Sequence, residues 1–238
     1  MDGGIPQPLD PLEQPDADVD ERRAEELRAW LGLSTPVRFV PFGVDLEHFH
    51  PRDVEPDVDV LSVGADPRRD YPLLLRVAAR LPERSFRIVA SAEQARELEG
   101  APANVAVEAD VPFEEVRERL ARARVVALPV RENLYSGATT TLLQALATGK
   151  PVVVTRTAAI AEGYGLVDGE NCRLVPPGDE RALEAALREL LADEAAAAAL
   201  GTAARATAER QLGWDRYVDE LADVLREAAT RGRSARRG

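Results

Sequence analysis

The chain has 238 residues, of which 45% are apolar and 30% charged, and its formal net charge is −12. Such a length and apolar content suffice for a buried core in one large domain or two small ones, whereas the acidic surface repels phosphate backbones and excludes a general nucleic-acid binder. Cys172 is the only cysteine, which excludes an intrachain disulfide and a cysteine-based zinc site.

The amino-terminal region predicts little stable structure. Residues 1–20 are rich in proline, aspartate and glycine, so a disordered lead-in is expected there. Residues 21–33 place apolar side chains at helical spacing, and 21–36 is predicted to be a short helix and a linker. Residues 37–45 are predicted to form a strand that continues into a Pro-Phe-Gly turn.

From residue 57 onward, apolar runs typical of strands alternate with segments of helical periodicity. The predicted strands are 58–65, 85–91, 104–110, 124–130, 151–155 and 172–177. The predicted helices are 71–82, 92–100, 112–123, 139–149, 158–165 and 179–194. This alternation indicates a parallel sheet covered on both faces. The predicted fold class is α/β, a Rossmann-like doubly wound sheet over 37–195, with additional helices over 196–230 and a basic tail over 231–238.

The sequence carries no visible targeting or metal-binding signal. It has no apolar run long enough to cross a membrane, and its start lacks the basic-then-apolar order of a signal peptide. A soluble, cytoplasmic protein is therefore expected. His48 and His50 could face one side of an extended chain as metal ligands, but no third ligand is evident, so no metal site is predicted.

Four loops lead to the predicted ligand edge, because open parallel sheets bind ligands beyond the carboxyl ends of their strands. The loops are 63–70, 108–112, 131–139 and 155–158. The loop before the helix at 139–149 is the richest in small and hydroxyl side chains. Its Gly137 would let a ligand approach the backbone, and the amides from Ala138 onward would face an anion at a helix amino terminus.

Three hydroxyl side chains border the same helix start. They are Ser136, Thr139 and Thr140. They could donate hydrogen bonds to a bound phosphate, and the alternative is that one of them only caps the helix. Because a cap needs one residue and this loop has several, the pattern favours a phosphate site.

The loop after the first predicted strand supplies positive charge. Gly64 is followed by Arg68 and Arg69, and arginine binds phosphate groups through two parallel hydrogen bonds. The alternative is a solvated loop in which Asp66 and Asp70 pair with these arginines. A diphosphate bound at the same sheet edge would be neutralised by the two side chains.

Two carboxylates follow the third predicted strand. Glu108 and Asp110 are candidates for contacting a base or a ribose, and the alternative is that they are ordinary surface carboxylates of an acidic protein. The glycines of the chain form neither G-x-G-x-x-G nor G-x-x-x-x-G-K-[ST]. This disfavours NAD-type and P-loop sites.

Four segments occur in the order found in retaining glycosyltransferases of the GT-B fold. They are VRFVPFGVDLEHFHP, SVGADPRRDYPLLLRVAARLP, SGATTTLLQALATGKPVVVTRT and LVDGENCRLVPPGDERALEAALRELLADE. The region 36–230 resembles the carboxyl-terminal, nucleotide-sugar-binding domain of the large family four group of these enzymes. The resemblance implies a UDP- or GDP-type sugar donor, bound as substrate rather than as cofactor, and transfer of its glycosyl group with retention.

The resemblance also assigns site residues, although no catalytic one. Family members carry two glutamates, the first at the transferred sugar and the second at the donor ribose, and the register places Ser136 and Gln144 there. Neither is a carboxylate, but the amide of Gln144 can still hydrogen-bond to ribose hydroxyls. The backbone amides of 137–140 for the diphosphate are retained. Ala65 stands where the family has an arginine, and Arg69 lies near the position of the family's lysine.

In the family, an amino-terminal acceptor domain precedes this one, and the reaction occurs in the cleft between the two. Here only residues 1–36 precede the matching region. The resemblance therefore implies either a fragment or a separate polypeptide that supplies the acceptor half. The predicted function is a glycosyltransferase donor-binding domain. The alternatives are a non-catalytic module that binds a nucleotide sugar or scaffolds a partner, and a Rossmann-like domain with no ligand.

Overall fold

The computed structural model describes residues 28–33, 36–132, 138–157, 160 and 163–235. Within these residues, six parallel strands form one sheet of order β3-β2-β1-β4-β5-β6. The strands are β1 (Val58–Val63), β2 (Phe86–Ala90), β3 (Val105–Ala109), β4 (Ala123–Leu128), β5 (Val152–Thr155) and β6 (Arg173–Val175). The prediction of a Rossmann-like doubly wound parallel sheet is confirmed. The strand order reverses between β1 and β4, where such sheets bind ligands.

Helices cover both faces of the sheet. They are α1 (Tyr71–Ala79), α2 (Ala92–Glu97), α3 (Phe113–Ala121), α4 (Thr139–Ala147), α5 (Glu180–Ala192), α6 (Glu194–Gln211) and α7 (Trp214–Ala235). One hydrophobic core packs α3, α4 and α6 against the sheet, and a second core packs α1 and α5 against the other face. The strands β1, β4 and β5 lie between the two cores, which explains their near-continuous apolar sequences.

The strand predicted over 37–45 is wrong. Residues 37–43 form no strand, and Val44 alone makes a parallel bridge, to Gly213. The Val44 amide donates to the Leu212 carbonyl at 2.8 Å, and the Val44 carbonyl accepts from the Trp214 amide at 3.0 Å. The partner of this segment is therefore the short turn between α6 and α7, which offers pairing for one residue only.

The predicted terminal and connecting segments have mixed outcomes. The additional helices predicted over 196–230 are α6 and α7, and α7 continues to Ala235, into the segment predicted to be a basic tail. The lead-in at 1–20 and half of the helix predicted at 158–165 lie outside the described residues. Within the described part of the chain, no helix combines the length and apolarity needed to cross a bilayer.

Candidate functional site

The loops after β1 and β4 meet at the point where the strand order reverses. The Asp70 amide donates to the Pro129 carbonyl at 2.9 Å, and the Arg131 amide donates to the Arg68 carbonyl at 2.8 Å. These bonds join two loops that the sequence predicted to share one edge of the sheet. We call the groove that they border the crevice. Because main-chain atoms make the connection, its geometry does not depend on a mobile side chain.

Arg69 lies in the floor of the crevice. Its side chain is buried, and its Nη2 atom donates to the Val63 carbonyl. The guanidinium packs under Gly64, where a Cβ would lie 2.5 Å from Nε and would force the guanidinium to move. The Nε and Nη1 atoms have no hydrogen-bond partner among the described residues. Burial lowers the pKa of Arg69, yet an arginine stays charged, and two unsatisfied buried donors indicate an anion site.

Arg68, the other predicted arginine, has a different environment. It is exposed, and its side chain makes no ion pair with any described residue. Its backbone is nevertheless held, because the Arg68 amide donates to Asp66 Oδ1 at 2.7 Å and its carbonyl accepts from Arg131. The guanidinium of Arg68 can therefore reach a ligand in the crevice from a fixed anchor.

Side chains from α1 and α2 hold the β1–α1 loop from behind. The Tyr71 hydroxyl donates to the Gly64 carbonyl and lies 3.3 Å from the Val89 carbonyl. Burial raises the pKa of Tyr71 to about 12, so the phenol keeps its proton and donates. Gln94 Nε2 donates to the Asp66 carbonyl at 2.9 Å. The loop is thus fixed on both sides before any ligand binds, which lowers the entropic cost of binding.

The amino terminus of α4 opens toward the same crevice. Ala138 is the N-cap residue, and no side chain of the described residues caps the helix there. Thr139 is buried, and its Oγ1 has no partner among the described residues, whereas Thr140 is exposed. The simple capping interpretation of these threonines is therefore not what the structure has. Ser136 and Gly137 lie outside the described residues.

Gln144 lies on the second turn of α4. Its side chain is 6% exposed, and its amide makes no hydrogen bond with any described residue. A side-chain amide both donates and accepts hydrogen bonds. Gln144 lies one turn inside the helix that borders the crevice, at a position from which such a group can serve a ligand.

The two carboxylates at the end of β3 are engaged within the protein. Glu108 forms an ion pair with Arg87, with 3.0 Å between Oε1 and Nε, and its Oε2 accepts from Arg119 Nε at 2.8 Å. Asp110 has a positive φ of 50° and accepts from the Ala92 amide at 3.1 Å, at the start of α2. β3 is the edge strand, and β2 lies between it and the crevice. The structure therefore does not bring these residues together with Arg69 and Gln144.

The structure adds threonines at the end of β5 that the sequence did not single out. Thr155 Oγ1 accepts from the Val130 amide at 3.0 Å and ties β5 to the loop after β4. Thr157 is fully buried, and its Oγ1 has no partner among the described residues. A signal was present, since 155–158 was one of the predicted loops, but hydroxyl residues at a strand end are too common to be chosen individually.

The two histidines make other contacts. His48 stacks on Phe113 with ring centroids 5.7 Å apart, and His50 Nδ1 lies 2.8 Å from the Glu47 carbonyl. Over the described ranges, no group of three or more histidine, cysteine, aspartate or glutamate side chains is placed to hold a metal ion.

Two curated relatives share the sequence over most of this chain. The profile of the family "Glycosyl transferases group 1" matches residues 57–193. An MMP α-(1→4)-mannosyltransferase of Mycolicibacterium hassiacum is 30% identical over 81% of this chain and 48% of its own length. A GDP-mannose-dependent α-(1-6)-phosphatidylinositol monomannoside mannosyltransferase of Mycolicibacterium smegmatis is 28% identical over 82% and 57%. The chain spans about half the length of these relatives.

Solved structures share the fold. Sucrose-phosphate synthase of Thermosynechococcus elongatus superimposes with a TM-score of 0.75 at 20% identity, over 89% of this chain and 58% of that protein. Anabaena HepE in complex with UDP-glucose superimposes with a TM-score of 0.69 at 17% identity, over 84% and 61%. The fold is thus that of GT-B glycosyltransferase domains, and the profile match covers more than half of the sequence. The chain belongs to the glycosyl transferases group 1 family.

Proposed function

We propose that this chain is the donor-binding half of a retaining glycosyltransferase. It binds a nucleoside diphosphate sugar of the UDP or GDP type in the crevice, for transfer of the glycosyl group to an acceptor. One observation carries the proposal: two donor nitrogens of the buried Arg69 guanidinium have no partner among the described residues, at the sheet edge where α4 begins without a capping side chain from those residues. A diphosphate would satisfy both features at once.

In this proposal the diphosphate is held by charge and by main-chain amides. Arg69 binds it from the floor of the crevice, and Arg68 closes over it from the exposed rim. The amides from Gly137 to Thr140 bind it at the helix terminus, and Gly64 leaves space for the Arg69 guanidinium. The same groups stabilise the charge that develops on the leaving diphosphate as the glycosyl bond breaks. The nucleotide sugar is the substrate, and this role requires no resident cofactor.

Gln144 and Ser136 complete the donor site. The side-chain amide of Gln144 binds the ribose hydroxyls, both as donor and as acceptor. Ser136 offers one hydroxyl to the sugar. Neither side chain can supply the negative charge of a carboxylate, so we assign no catalytic residue to this chain. The acceptor half, on a separate polypeptide or an adjoining domain, supplies the other wall of the reaction cleft.

The similar proteins support this assignment. One relative is a GDP-mannose-dependent mannosyltransferase, and HepE shares the fold and was solved with UDP-glucose. Both names describe sugars activated by a nucleoside diphosphate. They favour a hexosyl donor of this class.

A second candidate function is a non-catalytic module that binds a nucleotide sugar or scaffolds a partner. The observation that favours it is Gln144, an amide on the helix turn where the family carries a carboxylate. Donor binding is common to both candidates, and only turnover separates them.

Isothermal titration of the chain with UDP, GDP and their hexose conjugates tests the proposal. We expect saturable binding of one nucleotide family, with most of the affinity retained by the nucleoside diphosphate. An absence of heat with either family at millimolar ligand would refute donor binding. Donor hydrolysis or sugar transfer by this chain alone would refute the non-catalytic candidate, whereas binding without turnover when an acceptor half is added would support it.

A further inference from the structure

The helix that opens toward the crevice is anchored at its opposite end by another helix. The last four carbonyls of an α-helix lack intrahelical partners. In α4, three of them are satisfied locally: Gln144 by the Thr148 amide at 3.0 Å, Ala145 by the Thr148 hydroxyl at 2.9 Å, and Leu146 by the Gly149 amide at 3.0 Å. The fourth, that of Ala147, accepts from Arg205 of α6 at 2.6 Å.

Arg205 links three parts of the chain. Besides the Ala147 carbonyl, its Nη1 donates to the Phe49 carbonyl at 2.9 Å, in the segment before β1. Its Nε donates to Glu209 Oε1 at 2.7 Å on its own helix, and its side chain is 18% exposed. The guanidinium is thus held in one orientation. Its positive charge lies at the negative end of the α4 dipole, where a cation is stabilising.

The backbone of α6 approaches the segment just after α4 one helical turn from Arg205. Gly201 lies against the Gly149 carbonyl, and a Cβ at residue 201 would clash with that oxygen and lie 3.2 Å from its carbon. Ala204 and Ala208, on the same side of α6, are fully buried. Small residues along this face let α6 pack closely at the carboxyl end of α4.

We propose that Arg205 is a positioning residue for donor binding. Its guanidinium fixes the position of α4 along the helix axis. The amides at the other end of the helix lie about 12 Å away, so the same contact fixes where they meet the diphosphate. A nine-residue helix transmits such a displacement because its internal hydrogen bonds make it stiff. Arg205 touches no ligand in this arrangement. The inference rests on the proposed function, since it concerns the same site.

Two substitutions test the role of Arg205. Arg205→Met removes the hydrogen bonds to the two carbonyls and to Glu209 and keeps the apolar stem. Arg205→Lys keeps a cation that can reach one carbonyl. We expect Arg205→Met to weaken binding of UDP or GDP by about three- to thirtyfold, with Arg205→Lys between it and the wild type. The control is Arg216→Met, which removes an arginine whose ion pair, to Glu220 at 2.8 Å, stays within α7. It should leave nucleotide binding unchanged.

A second measurement does not depend on the nucleotide. Amide hydrogen exchange at Leu142 and Leu143, in the first turns of α4, should become faster in Arg205→Met but not in Arg216→Met. Equal nucleotide affinity and equal exchange in Arg205→Met and the wild type would overturn the positioning role. If Arg205→Met does not fold, Arg205→Lys decides, and wild-type affinity in that variant would overturn the inference. Should the wild type bind neither nucleotide, the proposed function fails, and the exchange data alone decide the role of Arg205.

Discussion

The guanidinium of Arg69 occupies the space that a side chain at Gly64 would need. A Cβ at residue 64 would lie 2.5 Å from Nε and 2.8 Å from Cζ of Arg69, and the backbone there has a φ of +150°. Because Gly64 has no side chain, the charged group of Arg69 can lie in this position. If Arg69 binds the donor as proposed, Gly64 affects donor binding through this contact.

Gly64→Ala should displace the Arg69 guanidinium and weaken nucleotide binding by about tenfold or more, because charge-assisted hydrogen bonds are lost. The measurement is titration calorimetry with the better of UDP and GDP. The matched control is Gly100→Ala, at another positive φ of +84° with nothing within 4 Å of the new methyl group. Equal losses of affinity in the two variants would show that backbone strain, rather than the arginine, is responsible.

Substitutions of Arg68 and Arg69 should have different effects on the free energy of unfolding, although each should weaken nucleotide binding. Arg68→Ala removes an exposed charge, so the free energy of unfolding should change by less than about 0.5 kcal/mol. Arg69→Met removes a buried, incompletely paired charge, and the free energy of unfolding should stay within about 1 kcal/mol of the wild type or rise. Urea denaturation measures both.

Nucleotide titrations on the same two variants complete that comparison. Each should bind about tenfold or more weakly, because each loses a charge-assisted contact to the diphosphate. The Arg68→Ala effect should shrink in high salt, since exposed charges are screened. Wild-type affinity in Arg69→Met would exclude the floor of the crevice as the phosphate site.

Gln144→Glu tests the ribose assignment. A carboxylate accepts two hydrogen bonds from ribose hydroxyls, so we expect tighter binding of UDP or GDP and no change for inorganic pyrophosphate, which lacks a ribose. Calorimetry with the three ligands makes the comparison. A parallel loss of affinity for pyrophosphate would show that the substitution disturbs α4 itself.

The raised pKa of Tyr71 predicts that the protein loses stability at alkaline pH. Its pKa is raised from 10.0 to about 12 by burial, so the folded state holds the phenolic proton more tightly than the unfolded state. The stabilisation is therefore present below pH 10 and is lost as the pH rises toward 12, a loss of about 2 kcal/mol. The Tyr71→Phe variant lacks this pH-dependent contribution to the free energy of unfolding. The difference in unfolding free energy between wild type and Tyr71→Phe, measured in urea, should be largest near pH 8 and shrink above pH 10. A difference that stays constant would contradict it.

The sheet could be predicted from the sequence because strands that are buried on both faces have mostly apolar sequences. β1, β4 and β5 are runs of valine, leucine and alanine, and the observed strands lie within the predicted segments, apart from Ala123, one residue before its segment. The segment at 37–45 misled because its apolar residues pack against side chains rather than a strand. Phe39, for example, meets Tyr164 edge-on at 6.0 Å.

The site was harder to predict because neighbours in sequence have different surroundings in space. Nothing in the sequence separates Arg68 from Arg69, yet one is exposed and the other buried, since their burial depends on the loop after β4. Glu108 was a candidate because it follows β3. Its partners Arg87 and Arg119 come from β2 and α3, and only the assembled sheet reveals them.

The hydrogen bonds between the loops after β1 and β4 have a consequence for protein engineering. Because Asp70, Pro129, Arg68 and Arg131 make them through main-chain atoms, side chains along the rim can be exchanged without dismantling the frame. Arg68 and Thr140 are exposed there. Libraries confined to these two positions should yield folded variants at high frequency. Such variants can be screened for altered preference among nucleotide sugars.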